Sequence, residues 1–242
     1  MEFGQVCGNK NAKNWVYFVC MNQQEAADVY SLVKEAGEEL AIVPCIPSSW
    51  ENNLTPYETD NPLQKGRTFA GKADDFLKDV MAVASTCPAT HRILAGYSLA
   101  GLFVLYAGAK CSLFDSLVAG SPSLWYPSFM EYAQTHPLNP AIQYVYLSLG
   151  DQEAKVKNPV FQTVDQRMNE YCKILKEVRI PFHFDLNPGK HVNNVMGRMA
   201  KGILSAIRFI RQNILKKFFN TEIMVLHLEY GFLPFEVKYE KK

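Results

Sequence analysis

The segment Gly96-Tyr97-Ser98-Leu99-Ala100-Gly101 stands between two apolar runs of different character. Residues 91–95 are typical of a short buried strand, and residues 102–107 are apolar enough for a buried helix. The small residues of the segment allow a sharp turn between the two elements. In such a turn a serine lies at the carboxyl edge of the sheet, and the next backbone N–H faces a developing oxyanion. We therefore predict that Ser98 is a nucleophile and Leu99 an oxyanion donor. The alternative is a serine that only caps a buried helix.

Length and charge fit one enzyme-sized domain over residues 1–242, with a core at about 15–219 and an extension at 220–242. The chain has 25 Lys and Arg against 24 Asp and Glu, and these charges are interspersed, which argues against a nucleic-acid partner. The N-terminal sequence shows no secretory pattern, and no apolar run is long enough to span a membrane. We expect a cytoplasmic protein that binds no membrane.

The spacing of the cysteines also indicates a cytoplasmic protein. Six are spread along the chain without a CxxC pair, so we expect reduced thiols and neither a disulfide scaffold nor a metal site. The six residues are Cys7, Cys20, Cys45, Cys87, Cys111 and Cys172.

Strand-like and helix-like segments alternate along the chain, which is typical of a mainly parallel sheet with helices on both faces. We predict five or six strands, at 15–20, 40–46, 92–95, 114–119, 142–149 and 181–186. Helices are expected at about 24–36, 73–86, 102–107, 127–134, 160–178 and 195–219, and residues 47–65 read as a polar loop.

A serine needs a base and an orienting acid, and in this topology these follow it in the order acid, then histidine. His191 fits the base best, because it follows a predicted strand and a turn that would place it beyond the strand's carboxyl end. The acid should lie after the strand at 142–149, where Asp151 and Glu153 compete. The three-residue spacing from Gly150 favours Glu153, and Asp151 would then shape the turn.

Three segments together resemble the esterase family of α/β-hydrolases that includes siderophore esterases, feruloyl esterases and S-formylglutathione hydrolases. They are residues 96–106, Ser121-Pro122-Ser123-Leu124-Trp125-Tyr126 and Gly150-Asp151-Gln152-Glu153. Residues 53–56 and 69–77 are also similar to the family pattern. The resemblance covers about residues 15–215 and implies an α/β-hydrolase fold acting on a small ester.

Further site residues follow from this fold. The second oxyanion donor is expected near Met21 or Asn22, after the first strand. Trp125 and Tyr126 would wall an acyl or aryl pocket, and Tyr97 would contact substrate.

The prediction is a serine esterase with no metal or organic cofactor, since nucleophile, base and oxyanion donors suffice. A non-catalytic binding protein and an acyltransferase remain alternatives. The substrate, whether siderophore lactone, feruloyl ester, acetylated sugar or thioester, stays open.

The chain departs from the family pattern at both ends. Only about fourteen residues precede the first predicted strand, where family members usually carry two more strands, so we predict a sheet shortened at that edge. Residues 221–228 and 232–239 alternate enough to form a β-hairpin around Gly231. This hairpin would cover the exposed edge or pair with a second copy to form a homodimer.

Overall fold

The computed structural model describes the backbone of residues 2–229 and the side chains of residues 2–215. The described residues fall into two compact units that divide after Ile207. The strands are β1 (Glu2–Phe3), β2 (Cys7–Gly8), β3 (Asn14–Val19), β4 (Ala41–Ile46), β5 (Glu58–Asp60), β6 (Thr68–Ala70), β7 (His91–Tyr97), β8 (Ser116–Gly120), β9 (Tyr144–Gly150) and β10 (Phe182–Asn187).

The helices alternate with these strands. They are α1 (Gln23–Glu35), α2 (Trp50–Asn53), α3 (Ala73–Thr86), α4 (Leu99–Lys110), α5 (Phe129–Thr135), α6 (Val164–Glu177) and α7 (Val195–Glu229), and a 3₁₀ turn (Phe161–Thr163) precedes α6. None of the helices described up to Glu229 combines the length and the apolar character needed to cross a bilayer.

A parallel sheet forms the centre of the first unit. Its strands follow the order β4-β3-β7-β8-β9-β10, and each neighbouring pair is parallel. The inner strands are buried on both faces, as shown by Tyr17 and Phe18, which point in opposite directions and are both inaccessible to solvent. The predicted strands therefore form the expected mainly parallel sheet.

Helices cover both faces of the sheet. One face packs against α3, α4, α5 and α6, which share one continuous apolar core with it. On the other face, the first turns of α7 lie so close that a Cβ at Gly202 would come within 2.6 Å of Tyr146 and Val118. The helix α4 is apolar on all sides because it lies between the sheet and the outer helices.

The sheet is shortened at the β4 edge, as predicted. Here β1 and β2 have only two residues each and pair antiparallel with β4. The chain between β4 and α3 differs from the predicted loop, because it contains α2 and a hairpin of β5 with β6. The hydroxyl of Ser49 starts α2 by accepting a hydrogen bond from the N–H of Asn52 at 3.3 Å.

The predicted C-terminal hairpin is wrong in its first arm. Residues 221–228 are helical and belong to α7, which continues to Glu229. The physical reason is that no glycine or proline interrupts the chain between Gly202 and Gly231, so the helix has no stop signal. The second arm, at 232–239, lies outside the described residues.

Candidate active site

Ser98 lies in a strained turn at the carboxyl end of β7. Its backbone angles are φ 61° and ψ −120°, a region that non-glycine residues rarely occupy. Hydrogen bonds hold this conformation: the N–H of Ser98 donates to the carbonyl of Gly120 at 2.9 Å, and its own carbonyl accepts from Leu102 at 3.0 Å. A Cβ on Gly96 would lie 2.6 Å from the carbonyl oxygen of Ala100, so the turn requires glycine there.

Ser98, His191 and Glu153 form one hydrogen-bonded chain. His191 Nε2 lies 3.0 Å from Ser98 Oγ, and His191 Nδ1 lies 2.7 Å from Glu153 Oε2. An ionised carboxylate can only accept a hydrogen bond, so Nδ1 carries the ring proton and donates a hydrogen bond to Glu153. The Nε2 atom is then free to accept the hydroxyl proton of Ser98. This is the arrangement that activates a serine nucleophile.

The carboxylate of Glu153 is buried, with 4% of its side chain exposed. Its Oε1 accepts from the N–H of Gly150 at 2.6 Å, from the hydroxyl of Ser121 at 2.6 Å and from the guanidinium of Arg198 at 3.2 Å. Burial raises the pKa of Glu153, but the hydrogen bonds from His191, Ser121 and Gly150 outweigh burial and hold that pKa below its usual value. Glu153 is therefore ionised at neutral pH.

Asp151 lies elsewhere. It is exposed, and its Oδ1 accepts a hydrogen bond from the N–H of Gly189 at 2.8 Å, which lowers the pKa of Asp151. This bond joins the turn after β9 to the turn before His191. Of the two competing carboxylates, the structure thus brings Glu153 to the imidazole and places Asp151 in the supporting turn.

Tyr97 points away from the pocket and beneath the histidine loop. Its hydroxyl donates to the backbone carbonyl of His191 at 2.7 Å, and burial raises the pKa of Tyr97 to about 12. Tyr97 therefore supports the backbone of His191 and is not among the residues that line the cavity, whereas we expected it to contact substrate. Arg198 and Ser121, both buried beside it, were not predicted from the sequence.

The expected oxyanion donors differ in their surroundings. Leu99 is the first residue of α4, so the helix does not use its N–H, and the residue lines the cavity. In contrast, the N–H of Met21 donates to Glu25 Oε2 at 2.9 Å, and the side chain of Asn22 caps α1 by accepting from the N–H of Glu25 at 3.1 Å. Both groups serve the start of α1, and Met21 and Asn22 are not among the residues that line the cavity.

A cavity of about 470 Å³ opens in front of Ser98 and His191. Three aromatic side chains, Phe69, Trp125 and Phe161, form one wall, and Trp125 meets Phe161 edge to face at 5.7 Å between ring centres. Tyr126 packs behind this wall, where it is buried and its hydroxyl donates to the carbonyl of Tyr57. Polar groups also line the cavity, namely Glu51, Asn61, Gln64 and Lys190.

Ser123 adds a second hydroxyl next to the first. Its Oγ lies 3.4 Å from Ser98 Oγ, and its N–H donates to the carbonyl of Ser98 at 3.1 Å. Among the described residues, no cluster of His, Cys, Asp and Glu has the arrangement of a metal site.

Comparison with known proteins gives one sequence relative. No family model matches the sequence. The protein YbbA of Bacillus subtilis (strain 168), itself uncharacterized, is 24% identical over 149 residues, which are 57% of this chain. The match spans 60% of the length of YbbA, less than two thirds of that relative.

Solved structures show stronger similarity. An IroE-like serine hydrolase from Shewanella oneidensis has a TM-score of 0.69 at 16% identity, with 82% of this chain and 73% of that one covered. The siderophore hydrolase EstB from Aspergillus nidulans has 0.58 at 16%, covering 79% and 82%. The enterobactin esterase FES from Shigella flexneri has 0.60 at 15%, covering 85% and 55%. The chain therefore has the α/β-hydrolase fold that its motifs predicted, and its structural neighbours include a siderophore hydrolase and an enterobactin esterase.

Proposed function

We propose that this protein is a serine hydrolase that cleaves a carboxylic ester through an acyl-enzyme on Ser98. The observation that carries the proposal is the continuous chain from Ser98 through His191 to the buried Glu153, at distances of 3.0 and 2.7 Å. It faces a cavity large enough for a small molecule. The named activities of the structural neighbours, siderophore hydrolase and esterase, are consistent with it.

The mechanism follows from the hydrogen-bond directions. His191 Nε2 accepts the proton of Ser98 as the serine oxygen attacks the ester carbonyl, and Glu153 stabilises the imidazolium that forms. The N–H of Leu99 stabilises the negative oxygen of the tetrahedral intermediate. The imidazolium then protonates the leaving alcohol and the acyl-enzyme remains. Water, activated by the same imidazole, releases the acid and restores Ser98.

The cavity favours an uncharged acyl group. Phe69, Trp125 and Phe161 form its wall on one side, and Val156 and Val164 extend the apolar surface. An aliphatic or aryl acyl group placed there would bury apolar surface while its carbonyl faces Ser98. Since one neighbour is named a siderophore hydrolase and another an enterobactin esterase, a substrate screen begins with siderophore esters.

Two rival functions make different predictions. In a binding protein that kept the turn only for structure, Ser98 and His191 would have no reason to be aligned, whereas here they are within hydrogen-bond distance. An acyltransferase shares every group of this site, so it would be distinguished by faster turnover of the ester when an alcohol or thiol acceptor is added.

The six cysteines are all free, consistent with a reducing compartment such as the cytoplasm.

The test is labelling with a fluorophosphonate probe together with hydrolysis of p-nitrophenyl butyrate. We expect the wild-type protein to be labelled on Ser98, and Ser98→Ala and His191→Ala to lose both labelling and turnover. His183→Ala is the matched control, because His183 lies on β10, is 55% exposed and pairs with Asp185 at 3.0 Å, away from Ser98. Failure of the folded wild-type protein to react with the probe would overturn the proposal.

A further inference from the structure

Arg198 is a buried cation in the first turn of α7, with 3% of its side chain exposed. Its guanidinium pairs with Glu153 Oε1 at 3.2 Å through one terminal nitrogen and 3.3 Å through the other. The same two nitrogens donate to the hydroxyls of Tyr97 and Ser121, and the guanidinium carbon lies 5.1 Å from the centre of the Tyr97 ring. Arg198 therefore touches several groups that surround the catalytic acid.

The directions of these bonds follow from which atoms can only donate or only accept. The carbonyl of His191 can only accept a hydrogen bond, so the Tyr97 hydroxyl is the donor to it. The oxygen of that hydroxyl then accepts the hydrogen bond from Arg198. The carboxylate of Glu153 can only accept, so the Ser121 hydroxyl is the donor to it. The oxygen of the Ser121 hydroxyl accepts the hydrogen bond from Arg198. The guanidinium thus begins two hydrogen-bonded arms. One runs through the Tyr97 hydroxyl to the backbone carbonyl of His191, and the other runs through the Ser121 hydroxyl to the carboxylate of Glu153.

Burial of this ion pair is not explained by stability alone. A buried Arg–Glu pair pays a large desolvation penalty, and apolar residues of similar volume often replace such a pair without loss of stability. Moreover, the Nε of Arg198 is buried without a hydrogen-bond partner among the described residues. The arrangement therefore points to orientation of the groups it holds.

We propose that Arg198 is a positioning residue, which holds Glu153 and the backbone of His191 in register through Ser121 and Tyr97 and compensates the charge of Glu153. This inference rests on the proposed function, since it assigns a role within the same site. Because the guanidinium compensates the carboxylate, the imidazole faces a nearly neutral pair and not an isolated negative charge.

The charge compensation has a measurable consequence. Besides Arg198, the ionisable groups around the acid and base are Tyr97 beneath them, Lys190 and Glu51 at the cavity, and Asp151 on the neighbouring turn. None of these groups is itself changed by a substitution at Arg198. Removal of the guanidinium charge leaves Glu153 uncompensated, which favours the protonated imidazole. The acid limb of the kcat/KM profile should therefore move to higher pH.

The experiment compares Arg198→Met and Arg198→Lys with the wild-type protein on p-nitrophenyl butyrate across pH. We expect Arg198→Met to lower kcat about 10- to 100-fold, the loss typical when a group that orients a metal-ligating side chain is removed, and to move the acid limb up by about one pH unit. Arg198→Lys keeps the charge but not the planar fork, so the limb should return toward the wild-type position while kcat stays reduced.

Matched variants separate positioning from loss of a buried arginine. Arg92→Met is the control, since Arg92 is partly buried at the opposite end of β7 and donates to the carbonyls of Ala84 and Cys87, both at 3.1 Å. It should change Tm without moving the pH profile. Tyr97→Phe and Ser121→Ala each remove one arm and keep the charge, so each should lower kcat without moving the limb.

Ring NMR of His191 keeps the test independent of turnover. The N–H signal of His191 Nδ1, which donates to Glu153 at 2.7 Å, should change position in Arg198→Met and lie closer to its wild-type position in Arg198→Lys. An Arg198→Met protein that is folded and has the wild-type kcat, pH limb and Nδ1 signal would overturn the inference. If the wild-type protein neither hydrolyses esters nor reacts with the probe, the proposed function fails, while the Nδ1 signal still decides whether Arg198 acts on His191.

Discussion

Replacement of Glu153 by glutamine tests the proposed catalytic chain of Ser98, His191 and Glu153 most directly, because it changes which atoms carry protons while preserving the shape of the side chain. The Oε1 position receives hydrogen bonds from Gly150 and Ser121, each at 2.6 Å, so the amide oxygen of glutamine must occupy it. The amide nitrogen then faces His191 Nδ1. Since an amide nitrogen only donates, Nδ1 has to accept, and the ring proton moves to Nε2. The imidazole can then no longer take the proton of Ser98.

The size of the effect follows from this tautomer change. The equivalent change in a serine protease triad lowers kcat by about 10⁴, which is about 5.5 kcal/mol at 1.36 kcal/mol for each tenfold step. We expect a decrease of about 10³ to 10⁴ in kcat for Glu153→Gln, with KM nearly unchanged because the carboxylate is only 4% exposed and both its oxygens are hydrogen-bonded to protein groups. The buried Arg198 keeps a hydrogen-bond acceptor but loses its counter-charge, so the protein should also lose up to about 3–5 kcal/mol of stability.

The assay is steady-state hydrolysis of p-nitrophenyl butyrate, with a thermal melt of each variant. Asp151→Asn is the matched control, because its side-chain oxygen can still accept from Gly189 and the residue is exposed. It should retain activity within about threefold of wild type, as surface substitutions usually do. The reasoning is refuted if Glu153→Gln retains more than about a tenth of the wild-type kcat, or if Asp151→Asn is the variant that loses it.

Other substitutions probe the turn, the acid stability and the cavity. Gly96→Ala places a Cβ 2.6 Å from the carbonyl oxygen of Ala100, so it should cost about 3 kcal/mol, lower Tm by roughly 6–12 °C and abolish hydrolysis. Burial raises the pKa of Asp185, but hydrogen bonds, the largest from Lys201, outweigh it and hold that pKa below its usual value. A lowered folded-state pKa adds stability above the unfolded pKa of about 4 that is lost as pH falls. The difference in unfolding free energy between wild type and Asp185→Asn, about 1 kcal/mol at pH 7, should therefore narrow toward pH 3, as measured by thermal melts across pH; a constant difference would contradict this account. Phe161→Ala removes part of the cavity wall and should raise KM for the butyrate ester about three- to tenfold with kcat nearly unchanged, whereas an equal decrease in kcat would argue against a binding role.

Sequence pattern predicted the sheet because buried parallel strands appear as short apolar runs. The strand expected at 92–95 is β7, His91–Tyr97, and the one expected at 181–186 is β10, Phe182–Asn187. The hairpin of β5 and β6 was missed since it is short and polar, with Phe69 its one buried residue. The first arm of the predicted hairpin, at 221–228, was wrong because apolar residues in a long uninterrupted helix can also alternate locally in the sequence.

The site was less accessible to prediction than the fold. Ser98, His191 and Glu153 could be selected because each follows a predicted strand at a spacing that this topology favours. Arg198 is 45 residues from Glu153 in the sequence, and nothing in its local pattern marks it as a partner. Tyr97 was expected to contact substrate, but alternation along β7 turns its side chain away from the cavity.

Topology explains why the site forms at this edge and why it tolerates its own strain. β7, β8, β9 and β10 lie side by side, so their carboxyl ends present Ser98, Ser121, Glu153 and His191 to one another although Ser98 and His191 are 93 residues apart. The positive φ of Ser98 and the buried charges both disfavour folding. They persist because the strands beneath are buried on both faces and fix the turn from below. Since the sheet and not the site supplies that stability, Ser98, His191 and Glu153 are already aligned by the fold itself.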